Sequence, residues 1–185
     1  MSIALSTAIL VLIILLLIMI SAFFSSAETA LTAASEARIR QLAKTKANRQ
    51  AMRVEKLRKN KEELISTILV GNNLVNILAS ALATSAAISL TGDGGVALAT
   101  LVMTVIIVLF AEVLPKSYAF NNADRFSLKI ALIVQIIVWA LKPVTWSLRV
   151  IVIRLLRNKS EEGTSREDEL RGLIAVSYTH LRAHE

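Results

Sequence analysis

The chain has 185 residues, 55% of them hydrophobic, no cysteine and a formal charge of +7, with a mean hydropathy of +0.60. That much apolar surface in so short a chain argues against an ordinary soluble domain and for segments that cross a bilayer. The absent thiols exclude a disulfide framework and a thiolate metal centre. The basic surplus clusters between Arg38 and Lys61, a stretch without the aromatic side chains that stack bases, which argues against nucleic acid.

The first apolar segment, Ile3 to Phe24, carries only three hydroxyl side chains and no basic residue precedes Arg38. A secretory signal would need a basic start and a small-residue cleavage site, so the segment reads as a spanning helix, long enough for about 30 Å of hydrocarbon. Glu36 to Glu63 follows as a basic helical stretch with sparse apolar residues (Ile39, Leu42, Val54, Leu57), a juxtamembrane belt against anionic headgroups. Leu64 to Leu90 is the second expected span, Thr91 to Gly95 a tight turn, and Val96 to Leu114 the third span, ended by Pro115 and Lys116.

Charge orients these segments. The basic loop is placed in the cytoplasm and the glycine turn, without Lys or Arg, outside, so the N-terminus lies outside. Ile130 to Ile153 has basic residues at both flanks and Lys142-Pro143 in its middle. A proline breaks a helix and a lysine at the bilayer centre is costly, so this stretch is expected to form a re-entrant or interfacial Pro-kinked hairpin anchored by Trp139 and Trp146, in preference to a fourth full span. The expected fold is an all-α membrane protein: three transmembrane helices, a basic juxtamembrane belt and the hairpin. A transmembrane domain occupies residues 1–157, a hydrophilic cytoplasmic linker 158–176, and a tail, 177–185, that matches neither pattern and reads as foreign. That tail holds both histidines, His180 and His184, and they are discounted as metal ligands.

Glu112 carries the sharpest chemical signal, because an ionisable residue inside an apolar run costs several kcal/mol unless paired or wetted. Pro115 cannot donate to the carbonyl of Ala111, so an unsatisfied backbone oxygen is expected one residue from that carboxylate. Gly71-Asn72-Asn73, with Asn76 one turn on, sets amides in the second span, where a glycine lets carbonyls face a cavity. Ser25, Ser26, Glu28 and Thr29 close the first span; serines there also bond their own backbone, and Glu28 also reads as a solvated helix end. At 1.5 Å per residue Asn72 lies about 12 Å from the cytoplasmic start of its helix and Glu112 about 24 Å from the outer start of its own. Three segments therefore bring oxygen groups to similar depth. Such hard oxygens suit Mg²⁺, Ca²⁺ or Na⁺ rather than softer metals. With no Ser/His dyad, Asp pair or HExxH at membrane depth, an intramembrane enzyme is not expected.

Three motifs carry a resemblance. Phe24-Ser25-Ser26-Ala27-Glu28-Thr29-Ala30, Gly71-Asn72-Asn73-Leu74-Val75-Asn76 and Glu112-Val113-Leu114-Pro115-Lys116 resemble, in this order, the helix signatures of the CNNM/CorC family, the cyclin M-like and magnesium/cobalt efflux proteins, also called haemolysin C-like. The resemblance covers roughly Ser2 to Ile174. It implies an N-out, three-span homodimer in the plasma membrane with a cytoplasmic C-terminus, exporting Mg²⁺ with Na⁺ coupling. It further implies a dehydrated Mg²⁺ held by Ser25, Asn72 and Glu112 with backbone oxygen near Gly71, while Ser26, Glu28, Asn73, Asn76 and Pro115 stand as secondary candidates. ATP would act only through a regulatory CBS module that this chain does not reach. The rival expectation is a non-transporting membrane module, a Mg²⁺ sensor or dimeric scaffold.

Overall fold

The computed structural model describes residues 2–45 and 48–182, with side chains at 5–45, 48–92 and 94–155. Among these residues there is no strand. Helix α1 (Ser2–Ala33) is followed by two short helices, α2 (Glu36–Thr45) and α3 (Arg49–Lys59), and then by α4 (Lys61–Thr91). A 3-10 turn, Gly92–Gly94, leads to α5 (Gly95–Ile106), a π-helical segment Ile107–Val113, α6 (Leu114–Asn121) and α7 (Ala123–Arg182). The turn works because Gly92 takes φ 71° while its N–H still bonds Ile88 O, a left-handed conformation open to a residue without Cβ.

The basic belt forms as a helical pair. Asn48 caps α3, its Oδ1 accepting from the N–H groups of Gln50 and Ala51 at 2.9 and 3.3 Å, which satisfies two donors that the first turn leaves free. Ile39, Ala43, Ala51, Val54 and Leu57 turn inward, while Met52 stays exposed and the charges lie on the outer face. Arg58 Nη1 donates to Ala34 O at 2.7 Å, tying the belt to the end of α1. Asp124 accepts from Ser35 N–H at 2.7 Å and from Arg38 Nη1 at 3.2 Å, tying the start of α7 to the start of α2.

One apolar cluster joins Phe24, Ala27, Ala30 and Leu31 of α1 to Leu64 and Ile68 of α4, to the belt and to Ile130, Ala131 and Val134 of α7. A smaller one joins Ile18, Ala79, Met103 and Ala111. Residues 1–142 form one compact unit and residues from Pro143 another; the second carries the continuation of α7, where Val144, Trp146, Leu148 and Ile151 are exposed.

Four helical stretches, not three, are long and apolar enough to cross a membrane: Leu5–Ala33, Lys61–Thr91, Gly95–Asn121 and Ala123–Leu155. The expected hairpin at Lys142-Pro143 is replaced by an uninterrupted helix with Pro143 inside it. Two physical reasons account for the correction. A proline removes one backbone hydrogen bond and kinks a helix, which a membrane helix can carry. Lys142 is not a stranded charge either, since its Nζ stands 4.0 Å from Glu63 Oε1. Nor does Pro115 end the third span. The π-helical turn before it makes Leu114 N–H bond Leu109 O, five residues back. Pro115 then falls in the first turn of α6, where a missing N–H costs little. The expected linker 158–176 and tail 177–185 have side chains outside the described residues, and 183–185 lie outside them altogether.

Candidate functional site

The inner face of the bundle is set by one stripe on α1. Ser21, Ser25 and Glu28 recur at helical spacing, and the first two are buried, 0% and 1% exposed. Their hydroxyls behave differently from their neighbours'. Ser26 Oγ donates to Ala22 O at 2.7 Å, Thr29 Oγ1 to Ser25 O at 3.2 Å and Thr32 Oγ1 to Glu28 O at 2.8 Å, the usual retreat of a helical hydroxyl to its own backbone. Ser21 Oγ instead crosses to α4 and donates to Asn72 Oδ1 at 2.8 Å. Ser25 Oγ, one turn further on, is buried with no hydrogen-bond partner, alone among the buried side-chain oxygens and nitrogens of the described residues. An orphaned buried hydroxyl costs on the order of 1–3 kcal/mol unless something outside the chain satisfies it.

The approach of α4 depends on Gly71. A Cβ there would stand 2.6 Å from Phe24 Cζ, so the phenyl ring occupies the space a side chain would need. Gly71 against Phe24 and Asn72 against Ser21 give the register of two antiparallel helices. The third strand of the site comes from the π-helical segment. Lys116 Nζ lies 3.6 Å from Glu28 Oε2, and Glu112 precedes Lys116 by four residues, about 6 Å. Glu28 follows Ser25 by three residues on α1, as Lys116 follows Glu112 by four on its own segment, so the ion pair joins the turn after Ser25 to the turn after Glu112. Glu112 is half-buried, and Lys116, the nearest basic residue along its own helix, is engaged with Glu28 instead. A π-turn is uncommon and frequently marks functional sites.

The candidate residues thus divide. Asn72 is joined to Ser21, which sequence reasoning passed over, rather than to Ser25; the available signal was that Ser21 sits one helical turn before Ser25. Gly71 is a point of close approach between helices. Asn73 is exposed and Asn76 half-buried, so the amide run does not act as one cluster. Ser26 is bonded to its own backbone, Glu28 is paired with Lys116 rather than solvated alone, and Pro115 opens α6. Among the described residues there is no group of three or more His, Cys, Asp or Glu that could hold a metal. A cation here would have to be met by one carboxylate with hydroxyl, amide and backbone oxygens, a donor set for hard cations.

Comparison with known proteins bears on the whole chain. A family profile described as the cyclin M transmembrane N-terminal domain matches residues 12–185. The UPF0053 inner membrane protein YfjD of Escherichia coli shares 39% identity over 168 residues, 88% of this chain and 39% of its own length. A UPF0053 protein of Haemophilus influenzae shares 35% over 179 residues, 94% of this chain and 42% of its own length. A chloroplastic DUF21 domain-containing protein of Arabidopsis thaliana shares 38% over 163 residues, 84% and 24% respectively. The chain therefore spans less than half the length of the curated relatives it matches.

Proposed function

Because the chain belongs to the cyclin M (CNNM, DUF21) family of membrane domains, we propose that it binds a dehydrated Mg²⁺ between α1, α4 and the π-helical segment and carries it across the bilayer by alternating access. The observation that carries the reading is Ser25 Oγ: a buried hydroxyl without a partner, one turn from the Ser21–Asn72 pair and one turn from Glu28, which meets Lys116 of the segment that carries Glu112. In this reading Glu112 supplies the charge and Ser25 and Asn72 supply neutral oxygens. The Asn72 carbonyl oxygen has a second lone pair beyond the one Ser21 uses. Backbone oxygen beside Gly71 completes the set in this reading. A single carboxylate makes affinity modest, which suits an ion that must be released, and the reluctance of Mg²⁺ to shed water requires the site to be compact.

The basic belt faces the cytoplasm and the N-terminus the outside in this reading. The functional unit is a homodimer that performs no covalent chemistry, and export of Mg²⁺ is driven by Na⁺ entry. The test is Mg²⁺ flux in vesicles holding the purified protein, with and without a Na⁺ gradient. Glu112→Gln and Asn72→Ala are expected to bring flux down to the leak of empty vesicles while helical content is kept and stability falls by no more than about 1 kcal/mol, the share of the Ser21 hydrogen bond lost in Asn72→Ala. Undiminished flux in both variants overturns the site. Mg²⁺ binding without flux in the unaltered protein would instead support the sensor or scaffold reading.

A further inference from the structure

Where α3 gives way to α4, the belt encloses a cavity of about 180 Å³ bordered also by α7. Its floor is apolar, made by Leu57 and Leu64, both buried. Its rim carries Trp139, 77% exposed, an amphipathic ring of the kind that settles at the headgroup level of a bilayer. Two ammonium groups, Lys56 and Lys142, line the same cavity together with one carboxylate, Glu63. Lys142 Nζ is 4.0 Å from Glu63 Oε1, so one lysine is held in place by the acid. Counting two lysines against one glutamate leaves the cavity one positive charge. Glu63 precedes Asn72 by nine residues on α4, about 13 Å along the helix, so this cavity is separate from the Ser21–Asn72 seam.

We propose that this cavity binds the headgroup of an anionic phospholipid. The phosphodiester lies between Lys56 and Lys142, the glycerol stem and the first acyl carbons lie over Leu57, Leu64 and Trp139, and Glu63 accepts a hydrogen bond from a headgroup hydroxyl. The combination selects the class of ligand. A soluble phosphate would make no use of the apolar floor or the exposed indole. A choline headgroup would bring a third cation to two ammonium groups. A phosphate with uncharged hydroxyls behind it satisfies both charges and the floor. The position, at the junction of a basic belt with the start of a membrane-length helix, is where such a lipid is supplied. The proposal is independent of the ion that the membrane helices carry.

The chain has two tryptophans, so Trp146→Phe leaves Trp139 as a single fluorescent reporter inside the cavity. In vesicles of mixed phosphatidylcholine and phosphatidylglycerol, bromine on the acyl chains of one lipid or the other quenches that indole when the lipid is adjacent. Brominated phosphatidylglycerol is expected to quench Trp139 more strongly than brominated phosphatidylcholine at equal mole fraction. Lys56→Ala and Lys142→Ala are each expected to lower that preference about five-fold, Lys56→Arg to keep it, and Lys56→Glu to abolish it. Quenching by brominated phosphatidylcholine in vesicles of phosphatidylcholine alone, which reports insertion and folding, should be the same in all of them. Equal quenching by the two lipids before any lysine is changed overturns the proposal, as does a preference that survives Lys56→Glu. Loss of the preference on adding glycerol phosphate to the buffer would assign the cavity to a soluble phosphate and also overturn it.

Discussion

The two halves of α1 differ in a way that runs against intuition from soluble proteins. From Leu5 to Ile20 the helix is almost wholly apolar, yet Leu5, Leu12, Leu16 and Met19 are between 55% and 69% exposed. From Ser21 to Ala33 it carries five hydroxyls and a glutamate, yet Ser21, Ala27, Ala30 and Leu31 are fully buried and Ser25 nearly so. In lipid the hydrocarbon chains are as apolar as leucine, so large aliphatic side chains gain nothing by leaving them. Helices meet instead where small and polar residues let backbones come close and bond across the gap. Hydropathy locates the membrane segment, and the departures from it locate the bundle interior.

That contrast can be broken first at its strongest point. Leu31→Ala is expected to destabilise the chain by about 2–5 kcal/mol, the cost of emptying a closed site, in denaturant unfolding followed by circular dichroism. Gly71→Val comes next, at about 1–3 kcal/mol, because the new side chain meets the ring of Phe24. Shortening that neighbour, Phe24→Ala, in the same protein should recover part of the loss, and an additive double variant would mean that the two do not touch. Ser21→Ala removes the donor of Asn72 Oδ1 and is expected to cost about 1 kcal/mol. Ser25→Ala is the sharper partner experiment. Its hydroxyl is buried with no protein partner, so without Mg²⁺ stability should hold or rise, by up to about 1–3 kcal/mol, while Mg²⁺ affinity measured by calorimetry falls about tenfold. A Ser25→Ala protein that loses stability and keeps its Mg²⁺ affinity would make the serine structural. Leu16→Ala, in the exposed half, should change stability least, within about 0.5 kcal/mol.

Much of this arrangement could be read from residues. The belt was legible because charge density and sparse apolar positions leave few alternatives for Glu36 to Glu63, and α2 and α3 appear there as a pair. Ser25, Asn72 and Glu112 stood out because each puts a polar oxygen where lipid would otherwise surround it. The role of Ser21 was not legible, since an isolated serine in an apolar segment has its own backbone as a partner and only the approach of α4 offers a better one. The π-helical turn was hidden for a related reason: which carbonyl an N–H selects near Pro115 is settled by neighbouring helices, whereas the sequence shows only that one donor is missing. The fourth membrane-length helix was misread as a hairpin because Lys142 looks unpaired until α4 brings Glu63 beside it.

By itself the sequence determined the solvent and the local geometry: runs of apolar residues long enough for a bilayer, helices throughout, a basic side and a turn without Lys or Arg. These follow from backbone hydrogen bonding without water and from charge against a membrane, which need no knowledge of neighbours. Tertiary structure alone decided which polar groups meet. Ser21 found Asn72, Lys116 found Glu28, Lys142 found Glu63, and Ser25 was left with an unpartnered hydroxyl, because pairing depends on how close Gly71 lets two helices come and how a π-turn rotates the third.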